Sequence, residues 1–171
     1  NDWLRLQPGV RGDWFRFRAD GPVSANAGSD TDTLLSPKLS VILGPWKETE
    51  FYLNAGYGFH SNDARGVLTT LDPASGDPVD TVDPLVRIFG AEAGVRTEAL
   101  DGWVHTLSLW YLQSDSELVY IGDAGTNEAG PGSRRYRVEL SSYWRPSDLL
   151  MLDAEATLTH AEFEGGGDDE V

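Results

Sequence analysis

The chain has 171 residues, no cysteine, and 13 basic against 28 acidic residues, which gives a formal net charge of -15. This acidic balance argues against nucleic acid or an anionic membrane surface as the main partner, because both attract basic patches. The lack of cysteine excludes a disulfide framework and a thiolate metal site, and no apolar run reaches the ~18 residues of a transmembrane helix.

Alternating apolar and polar residues predict seven long antiparallel strands and no helix of ordinary length. The clearest alternation lies in the third strand, where the series from Phe51 to Phe59 faces one way and the series from Tyr52 to His60 faces the other. An irregularity is expected at Pro8-Gly9, within or just before the first strand. The predicted strands cover residues 3–19, 33–44, 51–60, 85–97, 103–121, 134–145 and 149–163.

The connections between these strands alternate strictly between long and short. Long connections are predicted at 20–32, 61–84 and 122–133, and short ones at 44–48, 98–102 and 146–148. Outer-membrane barrels have this asymmetry, with short periplasmic turns and long extracellular loops. The fifth strand loses its alternation between Gln113 and Glu117, where we expect a β-bulge.

Soluble sheets and membrane barrels share the alternation of apolar and polar residues, so the alternation does not distinguish them. Strand length and the positions of aromatic residues do. Most of the predicted strands have about 12 to 17 residues, whereas soluble strands usually have about 5–6 and a tilted bilayer crossing needs roughly 9–11. Trp46, Trp103 and Trp144 lie at the short-turn ends, as in an aromatic girdle, while Tyr57 and Phe59 approach the opposite rim. The sequence therefore predicts an all-β fold, an antiparallel up-and-down transmembrane β-barrel segment.

The alternation also assigns the strand residues to two faces. The apolar set predicted to face outward comprises Phe89, Ala91, Val95, Val138, Leu140, Leu150, Leu152 and Leu158. The charged set predicted to face the lumen comprises Glu92, Arg96, Arg137, Glu139, Asp153 and Glu155. Because single-chain bacterial barrels close with an even number of strands, and an open sheet leaves two unpaired edges, seven strands indicate an incomplete barrel.

Several stretches, in this order along the chain, resemble the barrel domain of TonB-dependent outer-membrane receptors. They are SPKLSVILGPW at 36–46, FYLNAGYGFHSNDARG at 51–66, DPLVRIFGAEAGVRTEAL at 83–100, LWYLQSDSELVYIGDAG at 109–125 and RRYRVELSSYWRP at 134–146. The resemblance makes residues 1–171 a partial barrel from the C-terminal half of such a receptor, without the plug domain and the closing strands.

What the resemblance implies is a 22-strand barrel in the bacterial outer membrane, filled by an N-terminal plug, that imports a scarce nutrient such as a ferric siderophore with energy from an inner-membrane TonB complex. The expected partners are outer-membrane lipid, the receptor's own plug and remaining barrel strands, TonB through the N-terminal part, and a small-molecule ligand, but not nucleic acid. No enzymatic activity, catalytic residue, cofactor or resident metal is expected, and this piece alone is not expected to transport. The alternative is a soluble or surface-attached β-domain that binds a small ligand.

Candidate residues for a ligand path lie on the polar face or where it meets the longest loop. They are Asn54, His60, Asp63, Arg65, Glu92, Arg96, Arg137, Glu139, Asp153 and Glu155. Imidazole and carboxylate make the segment from His60 to Asp63 a candidate metal or siderophore contact. The favoured alternative is that its Asn and Asp order the strand-to-loop transition by hydrogen bonds to backbone, with Asp63 paired to Arg65.

Two glycine-containing motifs have simpler explanations than a ligand site. Gly56-x-Gly58 is not followed by the helix of a dinucleotide fingerprint, so we expect these small residues to make room for a plug. The acidic cluster at 165–170 is either a calcium site or, as we favour, a solvated loop.

Asp153 and Glu155 form a carboxylate pair on one strand face. They do not oppose each other across a substrate as in a glycoside hydrolase. We expect them to form a charge ladder with Arg135 and Arg137 on the adjacent strand.

The long loops carry many acids and, apart from Arg65 and Arg134 at their margins, almost no bases. A strongly anionic ligand would therefore be repelled. We expect a neutral or cationic ligand, or a metal chelate with masked charge, and the longest loop, 61–84, is the candidate lid.

Overall fold

The computed structural model describes residues 3–121 and 126–164, which form a seven-stranded antiparallel sheet and a separate two-stranded hairpin. The sheet has the order β1-β2-β3-β4-β5-β8-β9, so each strand lies beside its neighbour in an up-and-down arrangement. The predicted all-β barrel segment is confirmed. The elements are β1 (Leu4–Ala19), β2 (Gly28–Trp46), β3 (Thr49–Ser61), α1 (Ala64–Leu68), β4 (Leu85–Leu100), β5 (Trp103–Ser114), β6 (Leu118–Ile121), β7 (Thr126–Ala129), β8 (Ser133–Ser147) and β9 (Leu150–Phe163).

Long and short connections alternate as predicted. The short ones join β2 to β3, β4 to β5 and β8 to β9, and each of these hairpins has a register shift just before its turn. Lys47 and Glu48 both have positive φ, 49° and 59°, which is the conformation of a type I′ hairpin turn. In the β4–β5 turn the positive φ of 67° falls on Gly102, where no side chain opposes it.

The first long connection is shorter than predicted. Residues 28–32 are turn formers and acids, but they belong to β2 and pair with β1 from Ala19 to Phe15. Their propensity is overridden because β1 extends that far and its backbone groups need partners. The β1–β2 register is also continuous through Pro8, so the irregularity expected there is wrong.

The bulge predicted between Gln113 and Glu117 is a strand end. The buried Ser114 donates a side-chain hydrogen bond of 2.8 Å to the carbonyl of Ser116, which turns the chain out of the sheet. The extended residues that follow pair with β7 in the separate hairpin β6–β7. The predicted fifth strand is therefore two strands, and the loop predicted at 122–133 contains part of a hairpin.

The buried core is small and lies at the end of the sheet that carries the long connections. Phe17 in β1 packs with Val67, Val82 and Leu85, all less than 8% exposed. Val67 belongs to α1, and Val82 lies in the connection 62–84, so the longest loop is docked on the β1–β2 hairpin. No helix in residues 3–121 and 126–164 is long and apolar enough to cross a membrane.

Candidate functional site

The strand registers give the sheet one apolar and one polar face. One row of paired residues on the apolar face is Val41, Leu53, Ala93, Leu109, Val138 and Leu158. The row beside it on the polar face is Ser40, Asn54, Glu92, Trp110, Arg137 and Thr159. The residues predicted to face outward all share the apolar face, and the charged set predicted to face the lumen shares the polar face.

Aromatic side chains form two rows on the apolar face. The upper row has ring-centroid distances of 5.2 Å for Tyr57–Phe89, 6.3 Å for Phe89–Tyr111 and 5.3 Å for Tyr111–Tyr136. The lower row, at the short-turn end, has distances of 6.5 Å for Trp3–Trp46, 6.3 Å for Trp46–Phe51 and 5.2 Å for Trp103–Trp144. In β5, Trp103 and Tyr111 are about 27 Å apart along the strand, which is the scale of the ~25 Å apolar band of outer-membrane barrels.

Phe59 does not join the upper aromatic row. Its ring packs edge-on against Phe15 with a centroid distance of 5.5 Å, next to the buried core. The β2–β3 pairing ends at Lys38 and Gly56, so the upper part of β3 has no β2 neighbour and Phe59 can reach β1.

The centre of the polar face holds a hydrogen-bonded group on β3 and β4. Asn54 Nδ2 donates to Glu92 Oε2 at 3.1 Å. The Tyr52 ring covers Gly94, where any Cβ would overlap it. A Cβ at Gly56 would likewise crowd Lys38, whereas the corresponding position at Gly58 has no atom within 4 Å. Two of these small residues therefore accommodate side chains of their own sheet.

The charged residues of the polar face pair differently from the predicted ladder. Asp153 and Glu155 lie opposite Tyr143 and Ser141, and neither makes an ion pair within the described residues. The predicted ladder with Arg135 and Arg137 is wrong because the β8–β9 turn sets a register that alternation alone cannot give.

Three arginines of the polar face take carboxylates elsewhere. Arg137 pairs with Glu139 on its own strand, Arg135 with Glu117 at 2.8 Å, and Arg96 with Glu98 at 2.7 Å. The Nε of Arg137 is buried and has no hydrogen-bond acceptor within the part of the chain described.

The segment from His60 to Asp63 orders the start of the longest loop. The buried Asn62 donates from Nδ2 to the carbonyl of Asp83 at 2.7 Å, and its backbone N–H donates to the carbonyl of Pro84 at 3.0 Å. His60 lies opposite Val86 in the sheet. In residues 3–121 and 126–164, no group of three or more His, Asp or Glu side chains is placed to hold a metal ion. The structure thus supports the favoured alternative, in which Asn62 and Asp63 order the strand-to-loop transition by hydrogen bonds to the backbone.

Asp63 pairs with Arg65 as predicted, and it also caps the short helix α1. Its Oδ1 accepts from the Arg65 backbone N–H at 2.8 Å and from Arg65 Nε at 3.1 Å. The hydrogen bond from the Arg65 side chain, followed by the one from its backbone, holds the pKa of Asp63 below its usual value. The same pairing raises the pKa of Arg65.

Acid is expected to loosen α1 through Asp63. Because the folded pKa lies below the unfolded value of about 3.9, the carboxylate contributes fully above pH ~4, and the contribution is lost as pH falls through the folded pKa. Hydrogen exchange of residues 64–68, corrected for the intrinsic rate, measures this loss. Asp63→Asn should keep the cap and remove the pH dependence, while Asp63→Ala should cost about 1 kcal/mol at neutral pH. An unchanged pH profile in Asp63→Asn would contradict this role.

Asn26 is a site residue that sequence reasoning missed. It lies in the connection 20–27, and its Nδ2 donates to the carbonyl of Leu71 at 2.7 Å. Its Oδ1 accepts from the backbone N–H groups of Thr70 and Leu71, both at 3.0 Å. The side-chain amide of Asn26 thus joins the first long connection to the longest loop. It both donates to and accepts from the backbone of that loop, as the backbone of a neighbouring β-strand does. An Asn among turn formers gives no signal of such a distant partner.

Comparisons with known proteins agree with this architecture. Residues 1–170 match the family model described as TonB dependent receptor-like, beta-barrel. No curated protein matches the chain. The FrpB iron transporter from Neisseria meningitidis is 17% identical with a TM-score of 0.66, over 95% of this chain and 24% of that one.

Two further solved structures have the same fold at low identity. BauA, the ferric preacinetobactin receptor from Acinetobacter baumannii, is 18% identical with a TM-score of 0.67, over 94% of this chain and 23% of that one. The copper transporter OprC is 15% identical with a TM-score of 0.72, over 95% of this chain and 27% of that one. The chain therefore spans about a quarter of the length of these proteins.

Proposed function

This chain belongs to the family of TonB-dependent receptor β-barrels, and from that membership we propose that it forms part of the wall of a nutrient receptor in the bacterial outer membrane. Its family and the solved structures that share its fold are receptors and transporters, and it is not an enzyme. In this proposal the apolar face meets lipid and the polar face lines the lumen. The remaining strands, the plug and the contact with TonB come from the rest of the receptor.

The observation that carries the proposal is the exposed apolar face between two aromatic rows. Leu6, Leu109 and Leu158 on this face are 57%, 55% and 77% exposed. A soluble β-domain would bury such a face, because large exposed apolar patches mark an interaction site or a membrane. The polar face carries arginines and carboxylates, which suit a wet lumen and are costly in lipid.

Single-cysteine labelling is expected to separate the two faces. Leu140 and Ser141 are consecutive in β8 and lie on opposite faces. In the complete receptor, with any other cysteine removed, Ser141→Cys should react with a water-soluble maleimide through the lumen. Leu140→Cys should react only with a lipid-soluble maleimide. The chain itself has no cysteine to compete for the reagent. The reverse pattern would place the polar face outside and refute the proposal.

The cargo we propose is a metal chelate that is neutral, cationic or masked in charge. The connection 62–84 contains five aspartates and a single arginine. Its docking on the β1–β2 hairpin by the buried core and by Asn26 makes it a fixed acidic surface at the long-connection end. The solved structures with this fold include iron and copper transporters, which supports a metal as part of the cargo.

Neutralising two loop acids is expected to weaken the discrimination against anionic cargo. Each carboxylate at about 8 Å in water contributes about 0.5 kcal/mol of repulsion to a unit negative charge. Asp77→Asn with Asp80→Asn should therefore bring the affinity of the receptor for an anionic ferric chelate up about fivefold. Its affinity for a neutral chelate of similar size should stay unchanged.

The matched control for this experiment is Asp101→Asn. Asp101 lies in the β4–β5 turn at the other end of the sheet, so it is too far from the loop to repel the cargo. If the anionic chelate binds the parent receptor as tightly as the neutral one, the charge argument fails.

A further inference from the structure

The apolar face contains a groove at mid-height. It has a volume of about 510 Å³, and its floor consists of the small residues Ala55, Ala91 and Ala93. Its sides are larger, with Leu53 toward β2 and Tyr111 toward β8. Because alanine cannot fill the space between these walls, the sheet presents a channel about one side chain deep.

Above the groove, β4 carries a charged residue on the same face. Along this strand the apolar face presents Val95, Ala93, Ala91, Phe89 and then Arg87. Arg87 is exposed, and its guanidinium lies over the Tyr57 ring at 5.5 Å from the centroid, just above the upper aromatic row. It forms no ion pair with any residue in the described ranges.

We propose that the groove and Arg87 bind one lipid with an anionic headgroup, inserted from the leaflet at the long-connection end. The acyl chain lies on the alanine floor, and the phosphate-bearing headgroup meets Arg87. The site rests on the proposed function, since it requires the apolar face to meet the membrane. The net charge of -15 does not oppose it, because the guanidinium of Arg87 lies over the Tyr57 ring on the apolar face and forms no ion pair within the described residues.

The shape and charge of this surface favour a lipid over a second protein. A stable protein interface buries about 1,200–2,000 Å² over many residues, whereas this groove is a single narrow channel. The groove itself is mainly apolar, and the positive charge of Arg87 lies above it on the same strand, beyond Phe89. This order of apolar and charged surface matches the distribution of polarity in a lipid. The aromatic ring beneath Arg87 holds the cation at the level where headgroups lie.

Lipid competition on the complete receptor tests the site. The receptor, extracted in detergent and delipidated, is offered equal amounts of dimyristoyl phosphatidylglycerol and dimyristoyl phosphatidylcholine, and retained lipid is counted by native mass spectrometry. An arginine near an anionic headgroup should give about a fivefold preference for phosphatidylglycerol. Arg87→Gln should abolish the preference. Ala91→Leu with Ala93→Leu should lower retention of both lipids.

The control Arg145→Gln, at the short-turn end, should leave both preference and retention unchanged. The lipid site would be overturned if Arg87→Gln still preferred phosphatidylglycerol. It would also be overturned if Ala91→Leu with Ala93→Leu retained as much lipid as the parent receptor. Receptor that is extracted from membranes by detergent but shows no preference would overturn the lipid site alone. Receptor recovered in water without detergent would overturn the proposed function itself.

Discussion

Leu107→Arg is expected to destabilise the barrel strongly, whereas Ser108→Arg, one residue further along β5, is expected to be tolerated. Leu107 pairs with Val95 and Leu140 on the apolar face, midway between Trp103 and Tyr111. An arginine at the midplane of a lipid-facing barrel surface costs about 2–4 kcal/mol. That is a large fraction of the 5–15 kcal/mol by which most proteins are stable.

The matched variant Ser108→Arg places the same side chain in the lumen. Ser108 lies on the polar face opposite Gly94 and Glu139. Water in the lumen can hydrate the new guanidinium, and Glu139, although it is paired with Arg137, adds a negative charge nearby. The substitution should therefore cost less than about 1 kcal/mol. The difference between the two variants isolates the effect of the face, because strand, depth and introduced residue are nearly the same.

Urea unfolding of the receptor in lipid vesicles measures both variants. A third variant, His105→Arg, places an arginine on the apolar face but near its lower edge. His105 lies beside Trp103 in the lower aromatic row. Near the interface an arginine costs only about 0–1 kcal/mol. The expected order of stability is Ser108→Arg and His105→Arg above Leu107→Arg. Equal losses for Leu107→Arg and Ser108→Arg would mean that neither face is in contact with lipid.

The faces of the strands could be predicted because alternation with a period of two is a local property. Leu140 and Glu139 are assigned to opposite faces by their positions in β8 alone. Strand ends were less predictable, since they depend on a partner. Gly28 and Asp32 are poor strand formers, yet they extend β2 because β1 lies opposite them. Ser114 ends β5 where the alternation suggested a continuing strand.

The pairing of side chains in the site depends on the register between strands and on contacts with distant loops. The two-residue alternation within a single strand predicts neither. Asp153 was expected beside an arginine and lies opposite Tyr143. Asp63 and Arg65 were predicted correctly because they are two residues apart and their pairing is local. Asn26 and Leu71 are far apart in sequence, and only the docked loop brings them together. The acidic cluster at 165–170, predicted to be a solvated loop, lies outside the described residues.

Phe17→Ala is expected to release the longest loop from the sheet. Phe17 is 7% exposed and belongs to the one cluster of buried hydrophobic residues found in the described chain. Replacing a buried phenylalanine by alanine costs about 3–5 kcal/mol in a protein core. Because the cluster joins the connection 62–84 to the β1–β2 hairpin, the loss should appear as local opening of the loop.

Hydrogen exchange of residues 64–69 in the complete receptor measures this opening. A loss of about 3 kcal/mol corresponds to protection lower by about a hundredfold. The control Trp14→Ala removes a large aromatic from the same strand, but Trp14 is 65% exposed and does not belong to the cluster. It should leave protection in 64–69 unchanged. Asn26→Ala should lower protection by less than Phe17→Ala, since it removes hydrogen bonds and no buried apolar contact. If Phe17→Ala leaves exchange in 64–69 as slow as in the parent receptor, the loop is not held by this core, and its acids are not a fixed surface at the mouth of the barrel.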